Sequence, residues 1–588
     1  MIVPMKKTSI LCLDVDREKT LEQLRRIGVV HVKHTQAPAG EPLETAKTRR
    51  FRIGRALDML PKAHHEKSSG QEADKTVGLI WEQLEKQKEW HTRLDALTIE
   101  EKRLEPFGSF DPALIRSLAK QDVFVKLYKL GAREMPEMPE GVVLQLLNET
   151  KDGRYAAVIA REDVKLGTQE LRLPEQSLSA VRDEIAQLRK QLEESMQAIH
   201  AQGGERSAVE KELTQADDNL RYEETRAGMG GAERIAFLSG YCPDESLPDI
   251  RAAAAAHGWG LVINDPPADE LAPTKIRYPR WVRSIQSVFD VTGILPGYDE
   301  VDVSPVFLVA LSIFFAMLVG DAGYGAVFLL LTLFARKKMP AAPAYPFTFM
   351  YIMSVSTMIW GILTGTYFGI AKTASIPRIM WLDTPENVML LCFTIGAIHL
   401  SIAHLWNAWL LRNTPQAASH LGWVLSTWTM FFVAGYFVLG RPLPAGVIGA
   451  FVVGIVLIIL FMTPPAKLKE EWFNHVMLPL TVIGNFTDVV SYLRLFAVGT
   501  AGYAVASAFN TMLAFVPGDP IWSMVLKSAG LFMGHALNIA LCGLAILVHG
   551  VRLNTLEFSS HMGLQWKGYK YDPFRSKAVN KEQEQALS

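Results

Sequence analysis

Ser491-Tyr492-Leu493-Arg494-Leu495-Phe496-Ala497-Val498-Gly499 lies inside an apolar run from about His475 to Val516. That run is far longer than the ~20 residues a helix needs to cross a bilayer, and an arginine stands near its middle. A guanidinium at bilayer depth costs at least about 2.5–3.5 kcal/mol on insertion scales, and it stays charged because its pKa exceeds ~12. An arginine near a helix end snorkels to the headgroups. Arg494 has long apolar flanks on both sides, so snorkelling would demand a steep tilt or a re-entrant path. The functional reading is favoured, because intramembrane ionisable groups usually mark ion pathways or counter-ions.

The neighbours of Arg494 sharpen this. Ala497, Gly499, Thr500, Ala501, Gly502, Ala504 and Ala506 follow it, and a face of small residues lets another helix approach closely. At a period of 3.6, Arg494 shares one side with Thr487, Ser491, Ala497, Val498 and Ala501. A fixed positive charge on a thin, smooth surface reads as a docking face.

The 588 residues predict more than one domain, and the net charge of −1 averages two unlike halves. Up to about Pro279 the chain is rich in Lys, Arg, Glu and Asp. From Val303 to Phe558 charges are sparse and apolar runs of spanning length recur, as in a polytopic membrane domain. The four cysteines (Cys12, Cys242, Cys392, Cys542) include no CxxC, so neither a disulfide framework nor a zinc site is expected. Met1–Leu11 carries Lys6 and Lys7 but no long apolar stretch after them. No signal peptide is expected, and the N-terminal half should be cytoplasmic.

In that half, Thr8–Val15 reads as a strand, Glu18–Ile27 as a helix and Val29–Lys33 as a second strand. Further strands must bury this unit's face. They come either from Gln121–Leu130, Gly141–Leu147 and Tyr155–Arg161, or from Ile235–Gly240 and Gly260–Ile263 around a helix at Leu247–His257. Two charged helical arms run between these pieces, at 44–102 and 174–226. Val77, Ile80, Leu84, Trp90, Leu94 and Leu97 recur at threes and fours in the first. Leu178, Val181, Ile185, Leu188, Leu192, Met196 and Ile199 do so in the second. This predicts an antiparallel helical hairpin, a bent coiled coil, with a small α/β lobe at each end. Pro61–Gly70 interrupts the first arm. Gly203-Gly204 and Gly228-Met229-Gly230-Gly231 are not followed by Lys-Ser/Thr, so they read as hinges and not as phosphate loops. HExxH, GxSxG and close Cys/His clusters are missing, which leaves little sign of self-contained catalysis.

Eight hydrophobic runs follow, at about Pro305–Gly320, Tyr324–Ala335, Tyr345–Ile370, Asn387–Leu411, Gly422–Leu439, Ala445–Met462, His475–Phe515 and Ile521–Val551. The first two are short and separated by the polar, glycine-rich Gly320-Asp321-Ala322-Gly323-Tyr324-Gly325. With both termini cytoplasmic, Arg336-Lys337-Lys338, Arg412, Lys467/Lys469 and Lys567/Lys570/Arg575 fall on the inner side, whereas Lys372, Arg378 and Arg441 fall outside. The expected fold is therefore mostly α. A cytoplasmic domain (1–302) comprises a lobe from 1–43 with 233–270, arms 44–102 and 174–226, and a distal lobe 103–173. An eight-helix membrane domain (303–558) and a cytoplasmic tail (559–588) follow.

In the last run, Lys527, Leu531, His535, Asn538, Cys542, Ala545, His549 and Arg552 step by fours and threes and form one stripe. Unpartnered polar groups are costly in hydrocarbon, so the stripe should face protein or water. Arg552 is either a helix-end anchor or part of a site. His549 and His535 either bond between helices or handle protons, and Asn538 suits a helix–helix hydrogen bond. Asp321 either caps its turn or lines an aqueous vestibule. His404 and Asn407 share a face from which His399 points away, and packing is expected of all three. Asp488, six residues before Arg494, points about 120° from it on a straight helix; it suits the lining of a water path better than a direct pair. Glu557 is expected at the interface.

Ser491-Tyr492-Leu493-Arg494-Leu495-Phe496-Ala497 resembles the signature of the large membrane stator subunit of rotary V-type/A-type ATPases, the subunit I or subunit a family. Gly320-Asp321-Ala322-Gly323-Tyr324-Gly325 resembles a motif between that family's first two spans. His549, Arg552-Leu553, Glu557-Phe558, Gly568-Tyr569 and Tyr571-Asp572-Pro573-Phe574 are similar to its C-terminal pattern, and Ile2-Val3-Pro4-Met5-Lys6-Lys7 to the opening of bacterial members. The likeness spans essentially the whole chain. Two departures stand out. Cys542 occupies the place of a glutamate found in eukaryotic relatives. Leu480, Gly484 and Asn485 stand where those relatives carry an acid, with Asp488 nearer Arg494.

The resemblance implies a non-catalytic stator subunit with no cofactor and no metal. It couples H+ or Na+ movement to ATP synthesis or hydrolysis by partner subunits. A ring of small subunits, each with a carboxylate, would rotate past it, Arg494 keeping the passing carboxylate ionised between two half-channels and Arg552 supporting it. Asp488, Ser491, His549, His535, Asn538 and Asp321 complete the expected ion-translocation set. Peripheral stalks, a central-stalk adaptor and the lipid bilayer are the expected partners, with no nucleic acid, in a multi-pass cell-membrane protein. The rival classes are a secondary transporter, which usually shows two similar halves, and a membrane scaffold bearing a regulatory coil.

Overall fold

The computed structural model describes residues 1–62, 72–131, 138–150, 153–164, 169–267, 269–340, 342–370, 376–515 and 521–576. Lys372 and most of the 61–70 interruption lie outside them. The chain divides into two compact units. One comprises Met1–Thr8, Tyr241–Pro248 and Val262–Pro573; the other comprises Ser9–Gly240, Asp249–Leu261 and Phe574 onward.

The strands of the protein are β1 (Met5–Leu13), β2 (His31–Lys33), β3 (Phe124–Leu130), β4 (Val143–Thr150), β5 (Gly153–Ala160), β6 (Gln169–Leu171), β7 (Gly230–Ala232), β8 (Ile235–Pro243) and β9 (Gly260–Asn264). They form two sheets, which resolves the choice that the sequence left open. β8 and β9 join the opening unit in the order β2-β8-β1-β9, with β7 paired to β8. The strands between the arms make a separate antiparallel sheet, β4-β5-β3-β6, with Phe124 opposite Ala160 and a bulge between Leu146 and Asn148.

The arms are four helices. Glu41–Met59 packs on Arg206–Ala227, and Ala73–Leu104 packs on Leu178–His200. Ser177 caps the start of Leu178–His200, its Oγ accepting from Ala180 N at 3.3 Å. Leu97, Leu104, Leu178, Val181, Ile185 and Leu188 fill one apolar layer, and Ile53, Val77, Ile80, Ile199 and Val209 fill another. Met196 breaks the expected stripe and is 54% exposed. Ser195 takes the inward position instead: its Oγ donates to Gln83 Oε1 at 2.9 Å and accepts from Gln87 Nε2 at 3.0 Å. A satisfied polar layer thus lies between the two apolar ones. Gly203-Gly204 lies in a 3-10 turn, Ala201–Glu205, joining two helices as a hinge would.

Each of the eight apolar runs is helical. Ala344–Thr364, Pro385–Leu410, Gln416–Leu439, Trp472–Ala514 and Ile521–Met562 are each long and apolar enough to cross a membrane. Val447–Phe461 is shorter, and Ser304–Val319 and Ala322–Lys338 form a pair bent by 119°. The corner is made by Gly320, at φ +68°, and by Asp321, whose Oδ1 accepts from Gly323 N (2.8 Å) and Tyr324 N (3.2 Å). Ser304–Val319 is apolar all round, and such a helix belongs in a core. Phe307, Leu311, Phe314 and Leu318 are almost wholly buried against Ala344–Thr364, Leu493–Ala514 and the last helix. Gly499 permits one of these contacts, since a Cβ there would lie 2.5 Å from Met317 O. The Arg494 helix is thereby pressed directly onto the backbone of the buried one.

Candidate functional site

Tyr492 anchors the turn that carries Arg494. Its ring is fully buried, fits over Gly396, and meets Phe314 edge-on at 5.9 Å. Its hydroxyl lies 2.8 Å from His399 Nδ1. With the ring so fixed, Arg494 emerges two residues later with 28% of its side chain exposed. Arg494 Nη1 donates to Glu557 Oε1 at 3.2 Å, and Nη2 donates to Ser491 Oγ at 3.4 Å. Arg552 Nε stands 3.6 Å from the same Glu557 oxygen.

Glu557 thereby adds a contact that the sequence reading did not foresee. It is 4% exposed, and it serves both arginines. The cause is local backbone. Arg552 and Glu557 are five residues apart, which on an α-helix separates them by about 140°. Ile546–Gly550 and Leu553–Phe558 are π-helical, and an i→i+5 register brings residues five apart to one face. Two guanidiniums and one carboxylate leave the cluster with one positive charge. His549 stands half-exposed on the first π-helical stretch.

Two polar networks lie along the helices on either side of this cluster. In the first, His535 Nδ1 is 2.8 Å from Tyr324 OH and its Nε2 is 3.2 Å from Asn510 Oδ1. Asn538 Nδ2 donates to Tyr324 OH at 3.0 Å and to Gly502 O at 2.9 Å. His535 and Asn538 thus make the interhelical bonds open to them in the sequence. In the second, Asp488 Oδ2 lies 3.0 Å from His561 Nε2, beside a cavity of 590 Å³ lined by Asp488, His404, His420 and His561 among others. Asp321 is not brought to either network. It is 5% exposed, caps its helix, and accepts a third bond from Gly369 N at 3.1 Å. Among the described residues no group of His, Cys, Asp and Glu is placed to hold a metal ion.

Comparison with known proteins bears on this arrangement as a whole. No family model matches the chain. It is similar to V-type ATP synthase subunit I 1 of Treponema pallidum, 29% identical over 98% of this chain and 100% of that one. It is 26% identical to V-type ATP synthase subunit I of Borreliella burgdorferi over 98% of this chain and 99% of that one.

Along nearly its whole length the chain resembles V/A-type ATP synthase subunit I.

A solved cytoplasmic N-terminal domain of subunit I, a homolog of V-ATPase subunit a, aligns with 44% of this chain and 99% of its own at 17% identity. Its TM-score of 0.21 is too low a likeness to weigh. Of the residues that the sequence singled out, Arg494 and Arg552 meet at Glu557, and Ser491 accepts from Arg494. His535 and Asn538 share one network, Asp488 belongs to the other, and Asp321 holds a corner. Sequence reasoning named Glu557 without placing it in the site, and it missed His561 and His420. The spacing of five between Arg552 and Glu557 was the one visible signal for that pair, and it registers only once the helix is known to be π-helical.

Proposed function

We propose that this chain is the membrane stator subunit of a rotary V/A-type ATPase, moving H+ or Na+ past a ring of carboxylate-bearing subunits. The carrying observation is a single buried carboxylate shared by two partly exposed guanidiniums at 3.2 and 3.6 Å. The cluster keeps one net positive charge at a face where Thr487, Ala497, Ala501, Ala504 and Ala508 are exposed. A rotor carboxylate arriving there gains an opposite charge within ~4–6 Å, which lowers its pKa by roughly 1–3 units and drives release of its ion. Back in lipid, desolvation raises that pKa, so the carboxylate leaves only neutralised. Arg494 cannot itself pass a proton at physiological pH, which makes it a barrier to leakage between two half-channels.

The networks around His535/Asn538 and around Asp488 support one half-channel each. In this reading His549 and Arg552 flank the exchange site, Ser491 orients Arg494, and Asp321 shapes the outer path by holding its corner. The eight helical runs are eight passes with both termini cytoplasmic. The 119° bend turns the chain back by more than a right angle, which supports reading the pair as two short passes. Trp472–Ala514 has 43 residues, about 65 Å of helix. Within a hydrocarbon core of about 30 Å it must lie oblique by roughly 60°, which lets one helix line both half-channels. The N-terminal hairpin then stands in the cytoplasm, where peripheral stalks and a central-stalk adaptor hold it against torque. Nucleotide chemistry belongs to partner subunits.

The test is ATP-driven ion pumping by vesicles carrying Arg494→Ala, with assembly of the complex followed by copurification of the ring. Transport should vanish while assembly persists. Normal pumping by an assembled variant overturns the proposal.

A further inference from the structure

Away from the Arg494 cluster and its two polar networks, the membrane half holds a recessed apolar cleft of 390 Å³. Ser304–Val319 packs against Ala344–Thr364, Leu493–Ala514 and the last helix. Pro385–Leu410 packs against Gln416–Leu439, Trp472–Ser491 and Leu493–Ala514. Between Ser304–Val319 and Pro385–Leu410 the packing opens into the cleft. Val309, Ile313, Ile398 and Ile402 form its sides and are all exposed. Phe314 and His399, both buried, close it from behind.

Three features set this cleft apart from plain lipid-facing surface. The first is length. Its lining runs from Pro305 to Phe314 on one helix and from Ile395 to Ile402 on the other, about 14 and 11 Å along their axes. One leaflet of a hydrocarbon core of ~30 Å is about 15 Å deep, so the cleft has the reach of one acyl chain. The second is its mouth, at the cytoplasmic end, where Pro305 opens the first span and Ile402 precedes Arg412. Trp281 lines the cleft and is 60% exposed, as an aromatic residue at headgroup level is. Its chain neighbour Arg280 is exposed and makes no ion pair among the described residues, and a free guanidinium at the inner membrane surface attracts anionic headgroups. The third is the imidazole behind the apolar sides. With the Tyr492 hydroxyl donating to His399 Nδ1, Nε2 carries the hydrogen and is buried with no partner. A donor left in that state is costly, and an ester carbonyl would satisfy it.

We propose that this cleft binds an anionic phospholipid of the inner leaflet. One acyl chain lies between Val309 and Ile398 and ends against Phe314. Its ester carbonyl accepts from His399 Nε2, and its phosphate rests at Arg280 beside Trp281. The lipid also backs the turn that carries Arg494. Phe314 meets the Tyr492 ring edge-on at 5.9 Å, and His399 holds the Tyr492 hydroxyl at 2.8 Å. A filled cleft keeps both in place, so transport should be faster in membranes that supply the lipid. That consequence for transport rests on the stator reading, whereas the binding itself does not.

The experiment places the whole complex in phosphatidylcholine vesicles with a trace of phosphatidylglycerol that carries a diazirine on one acyl chain. After illumination, label should concentrate on residues 305–314 and 395–402. Unlabelled phosphatidylglycerol should displace it where added phosphatidylcholine does not. Ile398→Trp fills the cleft from a lipid-facing position and should abolish this labelling, and Val309→Trp should do so from the opposite side. Arg280→Gln should raise the phosphatidylglycerol needed for displacement about fivefold, the weight of one basic residue at an anionic surface. Label spread evenly over other exposed apolar residues such as Leu330 and Phe334 overturns the site, as does equal displacement by phosphatidylcholine. Undiminished labelling of both tryptophan variants overturns it as well. The displacement test on the unaltered chain decides the matter if those variants do not assemble. ATP-driven pumping should rise with phosphatidylglycerol in the unaltered complex and stay level in Ile398→Trp; an unaltered complex indifferent to the lipid overturns the link to Tyr492. Normal pumping by the Arg494→Ala complex instead overturns the stator reading and leaves the lipid site standing.

Discussion

Arg494 Nη1 and Arg552 Nε converge on one oxygen of Glu557, at 3.2 and 3.6 Å. The last helix reaches this geometry by departing from α-helical spacing between Leu553 and Phe558. A carboxylate that neutralises only one of two guanidiniums holds them together and still leaves a charge for the rotor. Glu557→Gln keeps the shape and removes that charge. Losing a charge-assisted hydrogen bond costs about 1.5–3 kcal/mol, and the lower end applies here because the arginines are partly exposed. We expect an assembled complex with a slightly lowered unfolding temperature. Ion pumping should slow by about tenfold, because a second uncompensated positive charge holds the rotor carboxylate more tightly, by roughly one pK unit or 1.4 kcal/mol. Pumping at the normal rate would remove Glu557 from the mechanism.

Asp321 tests capping against ion conduction. Its two oxygens accept from Gly323, Tyr324 and Gly369 backbone N–H groups. Asn keeps the two cap bonds about as well as Asp but cannot accept the third from Gly369, whereas Ala loses all three and costs roughly 0.5–2 kcal/mol for the cap alone. Asp321→Asn should therefore pump at near the normal rate, and Asp321→Ala should lower the unfolding temperature. Loss of pumping in a stable, assembled Asp321→Asn complex would show that its charge, not its cap, is used.

Gly499 should be intolerant of even one methyl group. A Cβ there would stand 2.5 Å from Met317 O, a backbone atom that cannot swing aside. Overpacking of this kind costs about 1–3 kcal/mol. Gly543, with nothing within 4 Å of its Cβ position, is the control, and helix propensity predicts neutrality or a small gain for Gly543→Ala. Thermal unfolding of the two variants should separate them clearly. Equal unfolding temperatures would mean that the helices can slide apart without cost.

Much of this protein was decided by the sequence alone. Runs of apolar residues determine which segments become helices of the membrane half, because hydrophobicity at that length has few other outcomes. The threes and fours of Val181, Ile185 and Leu188 determined the arms for the same local reason. Arg494 was legible because one charge in a long apolar run is conspicuous wherever the run goes.

Only the tertiary structure decided what Arg494 touches. Glu557 joined it through a π-helical stretch, and no propensity or period in the sequence encodes that register. His561 met Asp488 and His404 across separations of 73 and 157 residues. The strands β8 and β9, not those between the arms, completed the first sheet. Such partnerships depend on which helices and strands pack together. That is settled by long-range burial and by close approaches such as Gly499 against Met317, whereas sequence periodicity reports only the face that each element wishes to hide.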